Sequence, residues 1–304
     1  MKFRTTVLLV TFFSFLLWSC NSSEKDTLAV HSEIKFDEGT QKNRTLSQDF
    51  KKYWYDGKAE LTSFKISQER YGELREGTSV HIFVAEDFLP NEQVKANNAS
   101  EENTAVLKFN ATKKYLTGIY PYSVMTSVFN PVETQDHSIK VAHSMQEWCG
   151  QVYFQLNNKE EYEIWGHSYF EGEADQQLNL PKTWLESELW SRIRINPEEL
   201  PTGDFTMLPS FEYFRMSHQK IGIHTANGNL VKGDSISTYS LSYTDLDREL
   251  KIYFTSTFPY SIERWEETHA NGLTSTGEKL KRIKTAYWRQ NSNEYIHLRD
   301  SLSL

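Results

Sequence analysis

Apolar and polar residues alternate with a period of two along most of this chain, the pattern of strands that bury one face. Thr62, Phe64 and Ile66 form the first such run, Val80, Ile82 and Val84 line one face of a second, and Leu107 and Phe109 continue the style. Ile139 and Val141, then Val152, Phe154 and Leu156, then Tyr162 and Ile164 repeat it, with Asn157-Asn158 as a turn between neighbours. Ile221 and Ile223 precede an Asn227-Gly228 turn signal, after which Tyr239, Leu241 and Tyr243 share one side of a strand and Leu250, Ile252 and Phe254 share another. Three stretches switch to helical spacing. Leu46, Phe50, Tyr53 and Trp54 predict a short helix stopped by Asp56-Gly57; Leu185, Leu189 and Ile193, with Trp190 beside them and Pro197 and Pro201 beyond, predict a second; Lys279 to Gln290 reads as a basic terminal helix.

The expected fold class is therefore mainly β, with curved antiparallel sheets and a few short helices. An internal echo adds to this. Thr117-Gly118-Ile119-Tyr120-Pro121-Tyr122-Ser123 and Thr255-Ser256-Thr257-Phe258-Pro259-Tyr260-Ser261 share a Thr-x-x-aromatic-Pro-Tyr-Ser pattern. Two copies suggest two related half-barrel-like lobes, 46–180 and 181–304, each with a proline-marked turn; chance similarity of a short motif is the alternative. Aromatic residues make up 14% of the chain, which favours half-buried sheet faces.

The N-terminus carries an address. Lys2 and Arg4 precede an apolar run from Val7 to Trp18, and Leu17-Trp18-Ser19-Cys20 follows the form of a lipobox. About a dozen apolar residues are too few for a permanent span, which needs roughly 20, but suit a cleavable signal over 1–19. Cys20 is then the expected lipidation site, its acyl chains tying the protein to the membrane, since two or more chains anchor stably where one does not. The alternative is an ordinary secretory signal with a coincidental cysteine. Residues 20–45 are polar without sustained periodicity and read as a flexible tether. Asn21, not aspartate, follows the cysteine, which in the usual sorting rule points to the outer membrane.

Charge narrows the partners. The chain carries a net charge of −8, and losing Lys2 and Arg4 with residues 1–19 takes it to −10, which argues against nucleic acid. With Cys20 lipidated, Cys149 has no partner for a disulfide. Its setting, Trp148-Cys149-Gly150, suggests a packed, inert thiol; the alternative is a nucleophile served by His143 or His137. His218 and His224 lack the tight spacing of a metal-ligand pair, and no His-Glu-x-x-His, Cys-x-x-Cys pair or phosphate-cradling glycine loop occurs. No cofactor is expected. The doublets Glu160-Glu161, Glu198-Glu199 and Glu266-Glu267 offer paired carboxylates, but neighbours on a strand face opposite ways. The basic run Lys279, Lys281, Arg282, Lys284 and Arg289 reads as a solvated helix face, or as a contact for anionic lipid or lipopolysaccharide.

At Tyr120-Pro121-Tyr122-Ser123, Gln146-Glu147-Trp148-Cys149-Gly150-Gln151, Glu188-Leu189-Trp190-x-Arg192-Ile193-Arg194, Pro197-Glu198-Glu199-Leu200-Pro201-Thr202-Gly203 and Trp265-Glu266-Glu267-Thr268, the chain resembles a family of uncharacterised lipoproteins of Bacteroidetes. The resemblance runs from about Phe50 to the C-terminus. Members are often labelled "septum formation inhibitor Maf", a name that belongs to a cytosolic α/β nucleotide pyrophosphatase family with an N-terminal Ser-Pro-Arg-type phosphate-binding motif. The first folded segment here has no such motif, and the resemblance supplies no functional residues. The expected function is non-enzymatic: a lipid-anchored envelope protein that binds an apolar ligand or an envelope partner, with Trp184, Leu185, Leu189, Trp190 and Ile193 as the lid of an apolar cavity. The alternative is a hydrolase, of Maf type or dependent on Cys149.

Overall fold

The structure is a computed structural model, and it describes residues 43–304. The expected signal, Cys20 and most of the tether lie outside these residues. Contacts begin at once: Asn43 forms a bridge with Thr134, and Arg44 pairs with Glu199 at 2.6 Å. Helix α1 (Gln48–Trp54) follows, started by Ser47, whose hydroxyl accepts from Phe50 N, and docked through buried Phe50 and Trp54.

Two meanders make up the rest. The first contains β1 (Ala59–Arg70), β2 (Glu73–Leu89), β3 (Val94–Lys95), β4 (Thr104–Thr117), β5 (Tyr120–Pro131), β6 (Lys140–Glu147), β7 (Gly150–Asn158), β8 (Tyr162–Ser168) and β9 (Gln176–Leu180). The second contains β10 (Trp184–Leu185), β11 (Gly203–Leu208), β12 (His224–Val231), β13 (Ile236–Tyr243), β14 (Arg248–Thr255), β15 (Ile262–Thr268) and β16 (Thr274–Thr285), with α2 (Leu189–Ile195) and α3 (Phe211–Ser217) inserted. The two lobes expected from the echo are halves of one sheet, because β1 pairs with β16 as well as β2. The order runs β10 to β16, then β1, β2 and β4 to β9. Its two edges are β9 and β10, neighbours in the chain. Only Pro181, Lys182 and Thr183 separate them, so Leu180 and Trp184 lie at most about 14 Å apart, and the sheet curls into a barrel with an open seam. The Tyr162 hydroxyl donates to Thr183 O, and Thr183 in turn donates to Thr206 O at 2.6 Å, bridging that seam.

Antiparallel alternation sorts the connections to two ends. The β1–β2, β4–β5, β6–β7, β8–β9, β11–β12, β13–β14 and β15–β16 turns lie at the end called upper here, whereas the chain enters at the lower end. The echo motifs sit at opposite ends, one in the β4–β5 turn and one between β14 and β15, so they do not mark equivalent places.

Most of the strand expectations hold, but Asn157-Asn158 close β7, paired with Glu163 and Tyr162, instead of forming the turn, Ile221 and Ile223 lie ahead of β12 outside any strand, and three further details change. Lys279 to Gln290 is not a helix: β16 occupies 274–285 and only Tyr287–Arg289 turns helically, as a 3-10 turn. The reason is a bulge. Phe64 pairs with Lys279 but Ser63 with Lys281, so Leu280 is an extra residue, and the alternation that marks a strand is broken there. Asn227-Gly228 is not a turn but the middle of β12, paired on both sides. A side chain at Gly228 would meet Pro201 O at 2.3 Å and the Tyr239 hydroxyl at 2.5 Å, so glycine serves close approach here. Thirdly, Val80, Ile82 and Val84 line the outer face of β2, while His81 and Phe83 point inward. Val84 is covered with Ala59 and Leu61 by Leu302 of the C-terminal segment.

The barrel interior holds its own helix. Every residue of α2 except Trp190 is buried. Arg194 donates to both oxygens of buried Glu60 at 2.6 and 2.8 Å, and Arg192 lies 3.1 Å from Glu188. Burial raises the Glu60 carboxyl, but Arg194 outweighs it and, with Arg282 and Tyr53, brings it down to about 2. Among the described residues no helix is long and apolar enough to cross a membrane.

Candidate functional site

Because α2 fills the lower interior, space remains above it. A cleft of about 670 Å³ opens there toward the upper end, within the range of about 300–1,000 Å³ usual for small-molecule sites. Its floor is aromatic: His81, Phe109, Trp190 and Trp265 line it. The His81 ring stacks on Trp265 at 4.9 Å and meets Phe64, Phe109 and Trp190 at 4.6, 5.1 and 5.2 Å. Helix α3 stands at the mouth, where Glu212, Tyr213 and Met216 contribute to the wall.

The register across the strands sets a polar row at this level. Thr62, His81, Ala111, Thr126 and His143 stand directly opposite one another across β1, β2, β4, β5 and β6. The Thr126 hydroxyl is 2.9 Å from His143 Nδ1. His81 Nδ1 and His143 Nε2 are buried without a hydrogen-bond partner. Burial, reinforced by Lys113 and by Arg194 for His81 or Arg215 for His143, lowers both imidazoles to about 3 and keeps them neutral. A neutral imidazole offers one donor and one acceptor.

The cations of the wall are already paired. Lys113 donates to Glu212 at 2.7 Å and to Gln68 at 3.0 Å, while Arg248 bridges Glu186 at 2.8 Å and Glu267 at 2.7 Å. Burial raises the Glu267 carboxyl, but Arg248 outweighs it, helped by His269 and Lys113, and holds it at about 2. Arg70 donates to the Tyr122 hydroxyl and to Met216 O. Six carboxylates, Glu69, Glu186, Glu212, Asp245, Asp247 and Glu267, face three cations, Arg70, Lys113 and Arg248, so the wall is net acidic.

The expected lid residues lie elsewhere than over the mouth. Leu185, Leu189 and Ile193 are buried in the core and do not line the cleft, Trp190 forms part of its floor, and Trp184 packs against Arg192, whose guanidinium lies 4.6 Å from its ring centre. Their spacing marked a helix with an apolar face but not that the opposite face, carrying Arg192 and Arg194, would also be enclosed. Cys149 is exposed rather than packed, at the β6–β7 turn, and Glu147 beside it pushes its thiol up. His143 is enclosed in the barrel wall and His137 bonds Glu188 at 2.8 Å, so the structure brings neither to the thiol. His218 and His224 pair with Glu173 and Asp245 respectively. The described residues hold no group of three or more potential metal ligands. Glu267 faces Arg248, whereas Glu266 faces the Tyr253 hydroxyl, as strand alternation requires.

Three parts of the cleft escaped sequence reasoning. His81 is hidden between two residues of an apolar run, and Arg248 and Glu186 meet only through tertiary structure. Helix α3 had a local signal, Ser210 as N-cap with Phe211 and Phe214 three apart.

No protein-family model matches the chain, and no curated protein matches it. Among solved structures, a beta-barrel-like protein of the domain of unknown function DUF1849 from Brucella abortus is similar, with 8% identity, a TM-score of 0.45, and coverage of 75% of this chain and 98% of that one.

Proposed function

We propose that this is a lipid-anchored protein of the outer membrane, tethered through Cys20, that binds a small amphiphile in the upper cleft without transforming it. The observation that carries the reading is the cleft itself, floored by the aromatic rings of Phe109, Trp190 and Trp265 around His81 and walled by an excess of carboxylates. Trp190, Trp265 and Phe109 receive the amphiphile's apolar or aromatic body. The acidic wall selects its head group, favouring uncharged donor-rich or cationic heads and opposing carboxylates.

Three probes with the same chain and different heads test this by calorimetry below their micellar concentrations. Dodecyltrimethylammonium and dodecyl maltoside are expected to bind at least about tenfold more tightly than dodecanoate, a difference of about 1.4 kcal/mol. Binding of none of them overturns the ligand reading, and preferential binding of dodecanoate overturns the charge argument.

A further inference from the structure

The upper end carries a second feature beside the cleft, which Tyr71 also lines. Its hairpin tips expose large apolar side chains: Ile119 is 84% exposed, Tyr169 77%, Trp148 69%, and Tyr71 and Leu116 each 58%. Neighbouring tips are two strands apart, about 10 Å, and their side chains form a ridge whose members are linked in part through Tyr122, buried beneath it. The Tyr71 hydroxyl lies 2.9 Å from that of Tyr122, whose ring meets Tyr120 at 6.0 Å, and Tyr120 meets Trp148 at 6.3 Å. Tyr169 covers Gly150, where a side chain would approach its ring to 2.8 Å. An exposed apolar row of this extent marks an interaction surface.

We propose that this ridge docks the upper end of the barrel on a zwitterionic lipid surface, with Trp148, Tyr71 and Tyr169 at head-group level and Ile119 and Leu116 inserted more deeply. Four observations support lipid as the occupant. Tryptophan and tyrosine are the side chains that settle at a membrane–water boundary. The apolar groups stand on the projecting tips of adjacent turns, a convex edge that dips into a fluid layer without needing a matching pocket. The cleft opens at the same end, so an amphiphile would pass between bilayer and barrel directly. Glu69, Glu73, Glu147 and Glu171 outnumber Arg75 and Lys114 near the tips, which opposes anionic lipid.

The anchor allows this orientation. The chain enters at the lower end, where Asn43 pairs with Thr134, but the 23 residue steps from Cys20 to Asn43 reach up to about 80 Å. Strand β4, with 14 residues, rises about 48 Å. Either end can therefore face the bilayer that holds the lipid.

Cys149 beside Trp148 supplies the probe site. The lipidated mature protein, labelled at Cys149 with a nitrobenzoxadiazole fluorophore, is incorporated into phosphatidylcholine vesicles. A blue-shifted, brighter emission, quenched by lipids brominated in the upper acyl chain, is expected. The shift should shrink as phosphatidylglycerol replaces phosphatidylcholine, and Trp148→Ala with Ile119→Ser should remove most of it, with an unchanged melting temperature. A control with Cys149→Ser and Ile296→Cys labels the opposite end and should stay in water. The inference rests on the proposed lipid anchor only for delivery, and vesicle flotation reports on the anchor separately; an unanchored protein is read with vesicles added. A Cys149 label that remains in water on phosphatidylcholine overturns docking, as does burial of the label at position 296. Protection in native membranes but not in pure lipid vesicles overturns it in favour of a protein partner.

Discussion

His81 concentrates the chemistry of the cleft in one residue. Its ring is enclosed by Phe64, Phe109, Trp190 and Trp265, and it titrates near pH 3 because burial, then Lys113 and Arg194, oppose its charged form. Its ordinary value is about 6.5, so between the two values the unfolded chain binds a proton that the folded protein refuses. His143 behaves likewise. Stability is accordingly complete above about pH 6.5 and is lost as pH falls toward 3. The Glu60, Glu188 and Glu267 carboxyls, held at about 2, extend the loss below pH 4.5. Each histidine contributes up to about 1.4 kcal/mol per pH unit. Urea unfolding between pH 6 and 4.5 should thus lose stability steeply, and His81→Phe should remove about half of the histidine slope while His143 keeps the other half. A slope unchanged by His81→Phe would show that the ring is charged in the folded state.

At the scale of elements, Gly277 shows how β16 shapes the cleft. It pairs with Trp265 on β15, and a side chain there would meet the indole at 2.2 Å, forcing it off His81. Gly277→Ala is expected to cost about 1–3 kcal/mol, the usual range for overpacking, and to abolish binding of dodecyltrimethylammonium; Gly222→Ala, with only Lys220 O at 3.9 Å, should alter neither. Retained binding in the Gly277 variant would remove Trp265 from the site. The same strand shows what periodicity can reveal. Strands β1, β7, β13 and β14 were legible because their inward residues are apolar and regularly spaced. The β16 bulge broke that spacing, and β2 concealed its inward face because the outer one is also apolar, half-covered by the C-terminal segment around Leu302. Helix α2 was legible through Leu189 and Ile193, although Leu185, read as the start of the same stripe, belongs to β10, and the helix's enclosure depends on Glu60, over 130 residues away in the chain, receiving Arg194. No local pattern encodes that distance.

The described residues form two meanders sewn along β1 and β16 and left unsewn between β9 and β10. Nine residue pairs join β1 to β16, and α2, which belongs to the second meander, places Arg194 on Glu60 of the first. The connection across the open seam is by contrast short and accessible, with Pro181 and Lys182 exposed. Continuity there contributes chain connectivity but few contacts of its own. A protease site inserted between Pro181 and Lys182 should therefore yield a nicked protein whose fragments coelute on size exclusion and separate only in denaturant. Thr183 remains on the second fragment, so its hydrogen bond from Tyr162 would still hold the edges near each other after cleavage. Tyr162→Phe in the nicked protein should then lower the urea midpoint further than in the intact chain, where the linker restrains the same edges. Fragments that part under native conditions would show that the linker, rather than the β1–β16 junction and the enclosed helix, holds the barrel together.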